Sequence, residues 1–318
     1  MNDAIGGYFE LELRKGEHYH KDAIRLNTAR NCLEYIIRAR LYKKVYIPYY
    51  TCEVILEPIQ KLGISYEFYH INYDLEPEKI PVLKTEEAFL YTNYFGLKQS
   101  CVERLSSIYG NQLIVDNAQA FYAKRIDGID TFYSPRKFFG VPDGGYLYTD
   151  CKLDNEFAQD KSFNRMHHLL VRMEDGAEAG YSIFKEAESS LNNLPIMHMS
   201  NISDRLLRNI DYDLVKEVRR MNYLFLDNTL HPHNWFKGLA LEKDTVPMAY
   251  PYLTGKGYLK QLLIANKIYV ATYWPNVLSW CNKNSIEYGI TQKIIPLPID
   301  QRYNYEHIFS KYIKLLTI

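Results

Sequence analysis

The sequence predicts an α/β protein, with a mostly parallel sheet in a large domain and a smaller C-terminal α+β domain. In the first half, segments typical of strands and of helices alternate, as they do in repeated strand–helix–strand units. Near residue 200 the pattern changes and longer helical segments begin. The chain has 318 residues, more than one small core usually accommodates. We therefore expect a large domain over residues 1–200 and a smaller one over residues 201–318.

Helix and strand signals alternate in order along the first half. Thr28, after Asn27, is a candidate N-cap for a first helix with apolar residues at helical spacing. Two more helices are predicted. One runs from Thr51, its candidate cap, to Leu62 and stops at Gly63, and the other follows the capping box Ser100–Glu103 and is closed by Gly110. Strands are predicted at residues 45–48, 64–71, 88–94, 112–115 and 146–148. Because ligands gather at the carboxyl ends of parallel strands, Asp116 stands where a carboxylate can face a ligand.

The second half of the sequence predicts a long helix, two strands and two shorter helices. The long helix begins near Asp213, and Arg219-Arg220 is expected on its solvated side. Strands are predicted at residues 248–253 and 268–273, with a helix at 258–265 between them. The terminal helix is predicted from its apolar residues Ile308, Phe309, Tyr312 and Ile313.

Composition excludes several classes of protein. Lysine plus arginine balances aspartate plus glutamate at 38 each, which argues against nucleic acid or an anionic membrane as partner. No apolar run is long enough to span a bilayer and no basic-then-apolar signal pattern opens the chain, so we expect a cytoplasmic protein. The five cysteines include no CxxC pair and the nine histidines no HExxH motif. We therefore expect neither a disulfide framework nor a metal site.

Four short features occur in an order that favours pyridoxal phosphate (PLP) chemistry. They are Thr28-Ala29-Arg30 at a helix start, Asp116-Asn117-Ala118-Gln119 at a strand end, Ser134-Pro135-Arg136-Lys137, and Asp143-Gly144-Gly145. Each alone is weak, because most capped helices, strand-end carboxylates and glycine turns bind nothing. PLP needs a lysine amine, a carboxylate against the pyridine nitrogen, and amides with a hydroxyl around the phosphate. Lys137, Asp116, Ser134 and the amides of Ala29 and Arg30 supply these groups.

The chain resembles the DegT/DnrJ/StrS family of PLP-dependent aminotransferases, which have the aspartate aminotransferase (type I) fold. The most specific segments of the resemblance are LIVDNAQAFYA and TFYSPRKFFGVPDGGYLYTD. Weaker similarity is found in LNTARNCLEYII, VYIPYYTCEVILEPIQKLG, LYTNYFGL and IIPLPIDQRYNYEHI.

The resemblance assigns roles to residues by position. It implies that Asp116 pairs with the pyridine nitrogen, that Gln119 lies beside the ring, and that Lys137 binds the cofactor and carries protons. Family members with histidine at the lysine position are dehydratases, so Lys137 favours transamination. The resemblance also implies a homodimer with shared active sites.

Four positions depart from the family's pattern or have a second interpretation. The family's usual serine, five residues before the lysine, is Phe132 here, and Ile196 lies near the place of a phosphate-binding asparagine from the neighbouring subunit. Tyr50 is the candidate for stacking on the cofactor ring, with core packing as the alternative. For Arg136 we prefer a surface charge, and a role in binding an acidic substrate group stays open.

The resulting hypothesis is a PLP-dependent aminotransferase that transfers an amino group, from glutamate, to a keto-sugar nucleotide. The alternatives are a PLP enzyme acting on a non-sugar ketone and a catalytically idle relative that binds PLP or a sugar nucleotide. An unrelated nucleotide-binding protein has little support, because the chain contains neither GxGxxG nor GxxxxGK[ST].

Overall fold

A seven-stranded sheet organises the first half of the chain. The computed structural model describes residues 5–239, 241–308, 311 and 313–316. The strands of the large sheet are β1 (Ile24–Leu26), β2 (Lys44–Pro48), β3 (Ser65–Tyr69), β4 (Glu87–Thr92), β5 (Leu113–Asn117), β6 (Asp130–Tyr133) and β7 (Gly145–Tyr148). The helices between them are α1 (Ala29–Arg40), α2 (Leu56–Lys61) and α3 (Gln99–Tyr109).

The sheet is mostly parallel, as predicted. Its strand order is β1-β7-β6-β5-β4-β2-β3, and the pairs from β3 through β2, β4 and β5 to β6 are all parallel. Strand β7 pairs antiparallel with β6, and β1 antiparallel with β7. The carboxyl ends of β4, β5 and β6 therefore meet at one edge of the sheet.

Both faces of the sheet are covered. Helix α1 begins where the Thr28 side chain accepts a hydrogen bond from the Asn31 amide, as predicted, and it buries Leu33 and Ile36 completely. These side chains belong to one apolar cluster with sheet residues such as Ile114. The opposite face contributes to a second cluster that also contains residues of α3 and of the second half of the chain. Because the chain covers the sheet on both sides, the inner strands β4, β5 and β6 are almost entirely buried, whereas the edge strand β3 is mostly exposed.

The second half of the chain contains nine helices and a two-stranded sheet within the described residues. The helices are α4 (His167–Asp175), α5 (Tyr181–Ser189), α6 (Asn201–Arg208), α7 (Tyr212–Leu230), α8 (Leu259–Ala265), α9 (Val277–Trp280), α10 (Ile286–Lys293), α11 (Tyr305–Ile308) and α12 (Lys314–Leu316). Strands β8 (Ala249–Leu253) and β9 (Ile294–Pro298) pair antiparallel. The division into two domains at residue 200 stays a prediction.

Several predicted elements differ in the structure. No strand forms at residues 268–273, and the partner of β8 is β9, in the proline-containing segment singled out by the resemblance. The α2 segment opens with a 3₁₀ turn after Cys52, and Thr51 does not cap it. Helix α3 begins at Gln99, so Ser100 lies inside the helix and forms no capping box. Of the predicted terminal helix, Phe309 and Tyr312 lie outside the described residues.

Within the described residues, no helix is both long enough and apolar enough to cross a membrane.

A close approach between β7 and α1 gives the first testable prediction. A Cβ atom on Gly145 would lie 2.7 Å from the Thr28 carbonyl carbon and 2.8 Å from Cys32 Sγ, closer than van der Waals contact allows. Gly145→Ala should therefore shift the backbone and lower the free energy of unfolding by about 1–3 kcal/mol, measured by urea denaturation.

Gly289→Ala is the matched control for this substitution. Gly289 lies in α10, and a Cβ atom added to it would have no described neighbour within 4 Å. Alanine favours the helix, so stability should be unchanged or slightly increased. Equal effects of the two substitutions would contradict the close contact at Gly145.

Candidate active site

Lys137 lies at the carboxyl edge of the sheet, in a short 3₁₀ turn (Pro135–Lys137) that follows β6. Its side chain is exposed, and its ammonium group has no hydrogen bond or ion pair to any described residue. Burial by the surrounding protein is nevertheless the main cause that lowers the pKa of Lys137; Cys52 and Asp116 raise it, and Arg136 and Arg30 lower it. A ligand can therefore reach Lys137, whose charged form the surrounding protein disfavours. We refer to the space around this side chain as the cleft.

Asp116 lies close to Lys137, near the end of β5, and is only 7% exposed. Its carboxylate accepts a hydrogen bond from the Ala118 amide (2.8 Å) and a longer one from the Thr92 hydroxyl (3.4 Å). Burial raises the pKa of Asp116 to about 6, and the two hydrogen bonds and the nearby Lys137 charge oppose this shift. A cationic partner would therefore stabilise its ionised form further.

Gln119 and Ser134 flank these two groups with unused polar atoms. Gln119 follows β5, and its Oε1 accepts a hydrogen bond from the Phe95 amide at 2.9 Å, which fixes the side chain. In the described part of the chain, neither Gln119 Nε2 nor Ser134 Oγ has a partner. Both residues are less than a tenth exposed. The cleft thus contains an amide and a hydroxyl that remain available to a ligand.

The start of α1 forms a third side of the cleft. The backbone N–H groups of Ala29 and Arg30 have no acceptor within residues 5–239, 241–308, 311 and 313–316. The double-glycine turn lies against this helix start, since the Gly144 amide donates to the Asn27 carbonyl at 2.6 Å. Free amides at the positive end of a helix dipole suit a phosphate group.

Asp143 fixes the double-glycine turn from the other side. This fully buried carboxylate accepts hydrogen bonds from the Ser200 amide (2.8 Å), the Ser200 hydroxyl (2.6 Å) and the Ser203 hydroxyl. Ser200 is the N-cap of α6. The aspartate therefore ties the turn to a helix start, and its role is to position the turn.

The Tyr50 ring packs in the core, as the packing alternative describes. It is fully buried and lies against Tyr94 and Trp274, with centroid separations of 5.6 and 4.9 Å. Stacking of Tyr50 on a cofactor ring stays a prediction. Cys52, two residues later, is near enough to influence the ionisation of Lys137.

The two expectations for arginine side chains are corrected. Arg136 is not a surface charge: its side chain is 18% exposed and forms an ion pair with Glu188 of α5. Arg219 is 1% exposed and does not lie on a solvated helix face. Its guanidinium donates to the Met248 carbonyl at 3.0 Å and packs over the ring of Phe138.

Sequence reasoning missed the groups that hold the lysine turn from behind. The carbonyl oxygen of Phe138, the residue after Lys137, accepts hydrogen bonds from Gln301 Nε2 (2.8 Å) and Arg219 Nη2 (3.4 Å). Both donors come from the second half of the chain: Arg219 lies outside every segment of the resemblance, and Gln301 lies in the weakly similar segment IIPLPIDQRYNYEHI. No pattern in the sequence indicates these contacts, because they depend on tertiary packing alone.

Comparison with known proteins identifies the fold. No model of a known protein family matches the sequence, and no curated protein matches it. Among solved structures, DesV of S. venezuelae, in complex with a ketimine intermediate, matches with a TM-score of 0.63 and 15% identity over 92% of this chain and 83% of that chain. A DegT DnrJ EryC1 StrS aminotransferase from Brucella abortus gives 0.61 and 14%, over 93% and 85%. DesI, solved with its TDP-sugar product, gives 0.62 and 14%, over 92% and 79%.

The chain therefore has the fold of the PLP-dependent aminotransferases. Its structural neighbours include the DegT DnrJ EryC1 StrS aminotransferase and other proteins described as sugar aminotransferases, which confirms the resemblance at the level of the fold. The identities of 14–15% to DesV, DesI and the Brucella abortus protein are too low to transfer an activity, which has to be argued from the residues of the cleft.

The raised pKa of Asp116 predicts a gain in stability when its charge is removed. Because the folded-state pKa is about 6 against an ordinary value of 3.8, ionisation of Asp116 costs stability as the pH rises through this interval. In ligand-free protein, Asp116→Asn should therefore increase the free energy of unfolding at pH 8, by up to about 3 kcal/mol.

The gain should shrink as the pH falls from 6 towards 4, because the carboxyl group is then protonated in the folded state and, near pH 4, increasingly in the unfolded state as well. Urea denaturation at pH 5 and pH 8 measures both values. Asp127→Asn is the control, since that side chain is 89% exposed and should show no such dependence. A D116N protein less stable than the unmodified one at pH 8 would contradict the assignment.

Proposed function

We propose that this protein is a PLP-dependent aminotransferase that moves an amino group from glutamate to a keto-sugar nucleotide. One observation carries the proposal: Lys137, free of partners among the described residues, and the buried carboxylate of Asp116 face one cleft beside the unoccupied amides of a helix start. These are the groups that PLP chemistry requires, and they converge from three separate segments of the chain.

The residues of the cleft fit the cofactor. The amides of Ala29 and Arg30 and the Ser134 hydroxyl would hold its phosphate, and Asp116 would face its ring nitrogen. Gln119 Nε2 would contact the ring beside it. When bound, PLP supplies an electron sink for negative charge on the carbon that bears the amino group.

Each side chain has a distinct task in the proposed reaction. The lowered pKa of Lys137 increases its neutral amine fraction near pH 7, so its Nζ atom can act as a nucleophile and carry a proton. Ionised Asp116 keeps a proton on the ring nitrogen, and the cation in turn favours ionised Asp116. The Phe95 amide holds Gln119 in place.

The substrates are proposed from the structural neighbours. DesV was solved with a ketimine intermediate and DesI with a TDP-sugar product, which supports a sugar-nucleotide acceptor for this chain. A non-sugar ketone is the alternative acceptor. A catalytically idle relative is disfavoured, because Lys137 and Asp116 are both present and the lysine pairs with no described residue.

We also propose a homodimer with shared active sites. Helices α4 and α5 expose several large apolar side chains, Leu170, Met173, Tyr181 and Phe184. The patch borders the cleft, because Glu188 of α5 pairs with Arg136 beside Lys137. A second copy of the chain would cover this patch. The cytoplasmic location stays a prediction from the sequence.

Substitution of Lys137 tests the proposed chemistry. The purified protein with added PLP should show a visible absorption band for the lysine–cofactor bond, and glutamate should bleach it. Lys137→Ala should remove the band and reduce turnover to background, because no amine remains to form the bond. Lys124→Ala, an exposed lysine paired with Asp244, is the control and should leave both unchanged.

The outcomes separate the alternatives. A band that forms but does not respond to glutamate would indicate another donor or an idle relative. Absence of the band in unmodified protein would refute the PLP assignment. Product analysis with keto-sugar nucleotides and simple ketones would then distinguish the two acceptor classes.

The apolar patch predicts the effect of a single charge on the dimer. Met173 is 80% exposed on α4, so Met173→Asp should place a charge in the interface and convert dimers to monomers in sedimentation experiments. Val82→Asp is the control, because Val82 is 94% exposed and lies outside the patch. A monomeric unmodified protein with full activity would refute the shared site.

A further inference from the structure

Arg136 lies beside the proposed phosphate site, and only some of its hydrogen-bond donors have partners. Its side chain is 18% exposed, and it forms an ion pair with Glu188, whose side chain is 37% exposed. The Nε atom of Arg136 is buried and has no hydrogen-bond partner among the described residues. An arginine presents five N–H donors, so the Glu188 contact leaves donors unused. A buried N–H without an acceptor is costly, which indicates that a further acceptor binds here.

The position of Arg136 brings it to the start of α1. It follows Pro135, whose Cγ atom lies 2.9 Å from the position that a Cβ atom on Gly144 would take. The Gly144 amide in turn donates a hydrogen bond to the Asn27 carbonyl. From the other side, Arg30 of α1 donates to Asn192, four residues beyond Glu188. The turn that contains Arg136 and the first turn of α1 therefore converge on one segment, residues 188–192.

The other cations near this corner are already committed. The Arg30 guanidinium binds Glu57 at 2.5 Å and Asn192 at 2.9 Å. Arg165 binds Asp160 at 2.6 Å and, like Arg136, has a buried Nε atom without a partner among the described residues, but Arg165 does not belong to the turn that contains Lys137. Lys137 itself is required for the proposed chemistry. The groups so far assigned to the phosphate, two backbone amides and the Ser134 hydroxyl, carry no formal charge. A phosphate monoester carries about −1.5 to −2 at pH 7, so this corner needs a cation.

From these contacts we infer that Arg136 is the cationic ligand of the cofactor's phosphate group. Its planar guanidinium group matches the arrangement of phosphate oxygens. Because Arg136 and Lys137 are adjacent, one turn of the chain would hold the cofactor both at its phosphate and at the end bonded to Lys137. Glu188 orients the guanidinium from the solvent side and competes with the phosphate for it. The inference rests on the proposed function, because it assigns a ligand to that same site.

The test compares pyridoxal phosphate with pyridoxal, which lacks the phosphate, in binding to the ligand-free protein. Arg136→Gln should weaken pyridoxal phosphate binding by roughly tenfold to a hundredfold and leave pyridoxal binding unchanged. Arg136→Lys should recover part of the loss, because it keeps the charge without the fork. Arg125→Gln, an exposed arginine paired with Asp127, is the control.

A second variant should change the affinity of this corner for phosphate in the opposite direction. Glu188→Gln removes the competing carboxylate, so inorganic phosphate should bind ligand-free E188Q at least as tightly as the unmodified protein, measured by equilibrium dialysis. Ligand-free R136Q should bind inorganic phosphate more weakly than both. These measurements do not depend on catalysis, and they hold even if one variant is inactive.

The results distinguish failure of this inference from failure of the proposed function. If the unmodified protein bonds pyridoxal phosphate through Lys137 but R136Q keeps the full preference over pyridoxal, Arg136 is not the phosphate ligand. An unchanged preference with a raised KM for glutamate would assign Arg136 to the donor's carboxylate and overturn the inference. If the unmodified protein forms no bond with pyridoxal phosphate at all, the proposed function itself fails.

Discussion

The contact between the double-glycine turn and the start of α1 determines the geometry of the whole cleft. Gly144 donates to the Asn27 carbonyl at 2.6 Å, and Gly145 packs so closely on Thr28 that no side chain fits between them. This contact sets the free amides of α1 beside the turn that contains Lys137. Asp143 fixes the same turn to the start of α6. Displacement of the turn would therefore move the phosphate corner, the lysine and α6 together.

The ionisable groups of the cleft favour the binding of a ligand and lower the stability of the ligand-free protein. Burial raises the pKa of Asp116 and lowers that of Lys137, so each ionised form is disfavoured where it stands. The two groups attract each other, but this attraction does not offset the loss of hydration. A bound group with a cationic nitrogen and an anionic phosphate would relieve both costs. Sites that hold such unfavourable charges are characteristic of function rather than of folding.

The sequence was sufficient for the parts of the site that depend on local structure. Asp116, Gln119, Ser134 and Lys137 lie at strand ends or in turns, where chain order and the parallel sheet bring them together. The Thr28 cap was predictable because its partner, the Asn31 amide, is three residues away. The role of each of these residues in catalysis stays a prediction.

Side chains whose environment is set by distant segments could not be predicted. For Tyr50 the sequence left ring stacking and core packing open, and the Trp274 that packs against it lies more than 200 residues away in the chain. From the sequence Arg136 was expected to be a surface charge, but in the structure it forms an ion pair with Glu188 of α5. The capping box predicted at Ser100 fails for a local reason, since the N-cap of helix α3 is Lys98, two residues earlier. Local rules fail where tertiary contacts decide burial.

The second half of the chain contributes to the site through residues to which the sequence assigned no such role. Arg219 of α7 and Gln301 both donate to the Phe138 carbonyl, directly behind Lys137. Arg219 also binds the carbonyl of Met248, next to β8, so one buried guanidinium joins the lysine turn to the small sheet. A buried guanidinium is tolerated only when several acceptors surround it, and carbonyl oxygens from both halves provide them. The position of the lysine is therefore a property of the whole fold, and divergence of the surrounding sequence does not disturb it while these carbonyl contacts remain.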